Sequence, residues 1–195
     1  MRPRRSVWRS IRRNPPDEAD NLTNTMKTIN AALFLTFVTG ALYAQNPLTT
    51  TGTTRYFNTV RRSLEGSADA MPADKYSFKL TDGQMTFAEW LIHSAQRNYT
   101  DCSTLKSEPV PDAAKQLETL KDKASVSKAL KDSFAYCAAA LETVDDQKVL
   151  SSPQMSNAFL HITVHNNEIY GNVVGYLRAN GIVPPSTAAR SAPKK

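Results

Sequence analysis

The sequence predicts an all-α fold, a four-helix bundle, on three observations. Four segments carry apolar residues at steps of three and four, the period of a helix with one buried face. Each segment is bounded by residues that cap or stop a helix. No segment sustains the alternation of a strand between turn signals, and no internal repeat is present.

The first helix is expected from about Thr51–Thr54 to Met71. Tyr56, Val60, Leu64 and Ala68 fall at steps of four and define its inner stripe, and Pro72 ends it. The stretch from Pro72 to Gly83 reads as a loop, with Tyr76 and Phe78 folding back onto the bundle. The second helix opens on a capping box, Thr86 with Glu89 three residues on, and continues to about Cys102. Phe87, Trp90, Leu91 and Ala95 are its apolar face.

Residues 103–124 form a long connection, with a short helix expected after Pro111 between Asp112 and Lys121. A link of this length can cross the bundle, so the second and third helices can run parallel. The third helix starts near Ser125 or Ser127. Its stripe is Val126, Leu130, Phe134, Cys137, Leu141 and Val144. The fourth follows Ser152–Pro153, a cap residue with proline at the first helical position. Its inner positions are Ala158, Ile162, His165, Ile169, Val173 and Tyr176. Gly181 stops it and Pro184–Pro185 bar its continuation.

The domain is expected over residues 45–186, with residues 187–195 a mobile tail. Residues 26–44 have the pattern of a signal peptide: Lys27, an apolar run from Ala31 to Leu42, and a small-x-small ending at Ala44. The run is shorter than the ~20 apolar residues of a membrane span. An uncleaved N-terminal anchor is the other reading, and with cleavage no span remains. Residues 1–25 are rich in Arg and Pro and lack periodicity. They are expected to be disordered, an extension upstream of a working start at Met26 or an extended leader. The protein is then exported, to a periplasm or beyond.

Charge follows from this division. Of 24 Lys/Arg and 18 Asp/Glu, seven and three lie in residues 1–44, which leaves 17 and 15 and a net of +2 for the domain. A balanced domain without a basic stripe argues against nucleic acid as a partner. Cys102 and Cys137 are the only cysteines. In an exported protein they are compatible with one disulfide or with two buried thiols. Phosphate-loop, Cys-x-x-Cys and nucleophile-elbow patterns are absent. Asn98-Tyr-Thr100 matches a glycosylation sequon.

The residues with most chemical content are the three histidines. His161 and His165 lie four apart on one helix, which puts two imidazoles on one face. His93, on the second helix, can close a site from across the bundle. A catalytic zinc commonly takes three protein ligands and keeps one position for water. The alternative is that each imidazole is satisfied by a neighbouring side chain.

The segment HNNEIYGNVVGYLRANGIVPPS, residues 165–186, resembles the last helix of the DinB-like (DinB/YfiT) four-helix-bundle family. MPADKYSF at 71–78 and FAEWLIH at 87–93 support the likeness, which covers residues 52–186 and points to an exported branch. The resemblance implies an up-down-down-up bundle, in agreement with the long second connection. It also implies a divalent metal, zinc or nickel, held by three histidines at one end. Characterised members are thiol-dependent S-transferases and an isomerase, and many have no assigned activity. The family's ligands correspond to His93 and His165, but the third position here is Ile169. His161 or Glu168 would have to substitute. Two functions follow as expectations. One is a metal-dependent thiol-transferase or hydrolase acting on a small-molecule substrate. The other is a non-catalytic bundle, its metal site lost, that binds a small molecule or a protein, a second copy of itself included.

Overall fold

A computed structural model of the protein describes residues 48–191. The expectations for residues 1–25, for the leader at 26–44 and for the last four residues lie outside them. Among the described residues the chain is all-helical, with no strand. The long helices are α1 (Leu48–Ala70), α2 (Phe87–Lys106), α3 (Lys123–Leu141) and α5 (Pro153–Ala179). Short helices α4 (Asp146–Val149) and α6 (Pro185–Ser191) and two 3-10 segments, Ala73–Lys75 and Asp112–Thr119, fill the connections. No helix among the described residues is long and apolar enough to cross a membrane.

Local chemistry sets the boundaries. The Glu89 amide donates to Thr86 Oγ1 at 3.1 Å, and the Thr86 amide donates to Glu89 Oε2 at 2.7 Å, which closes the capping box. α3 begins two residues earlier than its stripe suggested, because Asp122 caps it by accepting from the Ser125 amide. Ser152 caps α5 with Pro153 at its first position. Gly181, at φ 72°, ends the segment in the left-handed region where glycine avoids a Cβ clash. Pro185 opens α6. α6 is then held by Tyr170, whose hydroxyl donates to Ser186 Oγ at 2.8 Å and accepts from the Ser186 amide at 3.0 Å. A Cβ at Gly66 would come within 3.2 Å of the Pro185 ring, so any larger residue in α1 there would press on the start of α6.

All four long helices contribute to one core. The stripe expected on α1 is off by one residue at its start. Tyr56 is 66% exposed and Phe57 is buried, its ring centre 5.6 Å from that of Phe134 of α3 in a tilted pair. A helix turns 100° per residue, so Phe57 at three steps before Val60 serves the stripe as well as Tyr56 at four. Tyr76 and Phe78 do fold back, Tyr76 donating to Ala68 O and meeting Ser127 Oγ. The α3 stripe is buried throughout.

Named contacts fix which helix ends meet. Lys123 at the start of α3 donates to the carbonyls of Asp69 and Met71 at the end of α1. Trp90 Nε1, at the start of α2, donates to the Tyr176 hydroxyl at the end of α5, at 3.1 Å. α2 and α3 meet through Asn98–Ser133 and Ser103–Tyr136, with both positions advancing along the chain. Beside the second pair, Cys102 and Cys137 form a disulfide with Cα atoms 5.2 Å apart. It spans the long crossover, and its sulfurs are fully buried.

Candidate functional site

The histidines gather on the seam between α2 and α5. The seam exists because both helices turn apolar faces to one core, with Leu91, Ile92 and Ala95 from α2 and Ile162, Ile169 and Val173 from α5. His93 and His165 sit at its outer edge. Their Nε2 atoms are 3.0 Å apart, with the rings at 82° to each other. His165 Nδ1 lies 3.2 Å from Glu168 Oε2, so that nitrogen carries the proton it donates to the carboxylate. A neutral His165 then accepts at Nε2 from the Nε2–H of His93. Burial, followed by the neighbouring His165 and Arg97, holds His93 below the ordinary histidine value.

The core slot expected for His165 belongs to Asn166. Asn166 is 1% exposed, whereas the His165 side chain is 17% exposed. The stripe from Ile162 to Ile169 can be completed at either position, and the more lateral imidazole is pushed to the rim. Asn166 is the hub of a buried polar network. It accepts from Ser94 Oγ at 2.6 Å and donates to Asn98 Oδ1 at 2.7 Å, and Asn98 donates onward to Ser133 Oγ at 3.1 Å. Asn98 is therefore committed inside the bundle, and its match to a glycosylation sequon gives no acceptor on the folded protein.

His161 stacks on His165, ring centres 4.6 Å apart and 14° from parallel. Its Nδ1 donates to Asp101 Oδ2 at 2.6 Å, and Arg97 donates to the other oxygen of the same carboxylate at 3.1 Å. The 3.4 Å approach of Arg97 to His161 Nδ1 is no bond, since both groups are donors to Asp101. Asp101 is 5% exposed and takes one partner on each carboxylate oxygen. Sequence reasoning missed Asp101, Arg97, Asn98 and Asn166. A signal was available: Arg97 and Asp101 are spaced i, i+4, and polar residues interrupt the inner face of the second helix.

The structure therefore brings His93, His165 and His161 together, but not as three equal donors to one point. Two nitrogens bound to one zinc at roughly 2.0–2.1 Å lie about 3.3 Å apart in a tetrahedron. The His93–His165 pair matches that spacing. Ile169 supplies no donor, is 0% exposed and is packed in the core. His161 stands one turn away beside the Arg97 guanidinium, a positive charge that opposes a cation. Glu168 is largely exposed and bonded to His165. Among the described residues no three His, Cys, Asp or Glu side chains converge as metal ligands. Two donors fit a divalent metal, and a three-ligand set does not.

His93 also lines a cavity of about 590 Å³ on the outer side of α2. The loop after residue 79 forms one wall and the crossover near 118–121 the other. This volume lies within the range of small-molecule sites. Comparison of the chain with family models, with curated proteins and with solved structures finds no match.

Proposed function

We propose that this chain is an exported DinB-like bundle whose three-histidine metal site is reduced to two imidazoles, and that it binds a small molecule without catalysis. The cavity beside His93 is the binding site in this reading. The observation that carries it is Ile169: an apolar side chain, buried without exposure, where the resemblance places the third ligand. The up-down-down-up topology belongs to the same proposal. It is supported by the meeting of the α1 end with the α3 start, of the α2 start with the α5 end, and by the parallel advance of the α2–α3 contacts. Export is supported by the leader pattern and by the Cys102–Cys137 disulfide, which persists in an oxidising compartment.

Metal analysis tests the reading directly. After repletion with zinc or nickel and desalting, the protein should retain well under one equivalent. Ile169→His should raise retention toward one equivalent, and His165→Ala in that background should abolish it. One tightly held equivalent in the unaltered protein would overturn the proposal.

A second reading has its own observation. The 3.0 Å spacing of the His93 and His165 nitrogens suits two ligands of one ion. On this reading the protein is a metal-dependent thiol-transferase or hydrolase, with zinc or nickel held by His93 and His165 and with His161 displaced toward them. One retained equivalent, lost in both His161→Ala and His165→Ala, would select it.

A further inference from the structure

Apolar side chains scattered over a protein surface are ordinary, but on α5 two of them fall on one uncharged line. Leu160 and Val164 are 57% and 65% exposed. They lie four residues apart and so share a face. At steps of 4, 3, 4, 3 and 4 that face reads Pro153, Asn157, Leu160, Val164, Asn167 and Gly171, and all six positions are exposed. At 100° per residue the six fall within an arc of about 80°. None carries a charge. The outward positions of α1 and α3 differ, with Arg55 and Arg62 on the first and Lys128, Lys131 and Asp132 on the second. Steps that alternate between three and four form the seam of two helices packed at a shallow angle.

The order of the residues along this line identifies the partner. The series is symmetric about position 162. Laid against itself in reverse, it sets Leu160 opposite Val164, Asn157 opposite Asn167, and Pro153 opposite Gly171. A two-fold contact requires such a surface, because residue i meets j while j meets i. Each pairing is also chemically complementary. Leucine and valine bury one another. Asn167 commits an amide hydrogen to the Thr163 carbonyl at 2.8 Å, which leaves its Oδ1 to accept from an opposing Asn157. A Cβ at Gly171 would meet nothing within 4 Å, so there is open space for an opposing Pro153 ring.

We infer that α5 is a self-association surface, on which two copies of this chain pack their α5 helices antiparallel about a two-fold axis at position 162. The inference is independent of the cavity and of the metal site. One helix pair buries less than the roughly 1,600 Å² of a standard interface, so the dimer is weak, with a dissociation constant on the order of 10–100 µM.

Sedimentation equilibrium of the full chain, loaded from about 5 to about 500 µM, should show a monomer–dimer equilibrium in that range. Leu160→Glu and Val164→Glu each place a charge in the seam and should weaken association at least tenfold. Both positions are exposed, so the variants should fold, which an unchanged melting temperature verifies. A second measurement reads the register. Asn157→Cys mixed with Asn167→Cys should give a covalent dimer under mild oxidation. Either variant alone should not, because ten residues of helix, about 15 Å, separate the two copies of each thiol and a disulfide tolerates only about 7 Å between Cα atoms. The native cysteines are fully buried and stay outside this reaction. A chain that is monomeric at the highest loading would overturn the second copy as occupant. Association that survives both glutamate substitutions would place the contact elsewhere, the apolar leader included, and would overturn it equally. Cross-linking of a single variant as readily as the mixture would overturn the antiparallel register.

Discussion

Asp101 shows how a single side chain organises the histidine seam. It is buried and accepts from Arg97 and His161 at once, so removing it strands two donors. Hydrogen bonds to charged groups contribute about 1.5–3 kcal/mol. Asp101→Ala should therefore destabilise by about 2–3 kcal/mol in urea unfolding, with Asp101→Asn milder because the amide still accepts from one partner. A loss under 0.5 kcal/mol would show that the carboxylate is not the anchor. Asn166 makes a parallel case. Asn166→Ala leaves Ser94 and Asn98 without their partner, at a cost of about 1–3 kcal/mol. Asn166→Leu should be no better, since the volume is restored but the two polar groups remain unpaired. Recovery of full stability by leucine would count against the network. These residues were hard to see in the sequence because a hydrogen-bond hub has no spacing rule. Asn, Ser and Asp on a helix look solvent-facing until the partner helix arrives.

Helix boundaries follow from caps that are short in sequence and cheap to test. Thr86→Ala removes the acceptor for the Glu89 amide and should cost about 1 kcal/mol. Glu89 is held below the ordinary carboxylate value, first by the Thr86 amide. Its contribution is thus present above the unfolded-state value and is lost as pH falls through the folded one. Stability should decline below about pH 4.5, and Glu89→Gln should flatten that acid limb without altering stability slopes near neutrality. An unchanged acid limb would mean that the cap contact does not set it. At this scale the sequence was informative: the Thr86–Glu89 box, the Ser152–Pro153 start and the Gly181 stop all operate as their residue types demand. The α4 turn and the α6 helix were missed. They are too short for periodicity to register and are stabilised by contacts such as Tyr170–Ser186.

For the whole molecule the disulfide is the decisive constraint. Cys102 and Cys137 are 35 residues apart, and closing a loop of that length in the unfolded chain stabilises the fold by about 3–4 kcal/mol. The double variant Cys102→Ala/Cys137→Ala should lose about that much in chemical denaturation, measured against the oxidised parent. A loss below 1 kcal/mol would assign the cross-link another role. The same bond ties α2 to α3 and so holds the crossover that forms one wall of the cavity. The cavity's position thus depends on a covalent contact between segments whose pairing the sequence left undecided.

The sequence by itself determined the helical class, the extents of the long helices and most of the core. Apolar period, caps and breakers act over a few residues, and those distances are written in the chain. Only the tertiary structure decided that Asn166 rather than His165 faces inward, that Phe57 displaces Tyr56, and that Cys102 pairs with Cys137. It also decided that His93 and His165 touch while His161 is drawn to Asp101. Each of these outcomes is a competition between neighbouring positions for one partner on another helix. A helix face is about 100° wide and admits two candidates, and the partner across the seam selects between them.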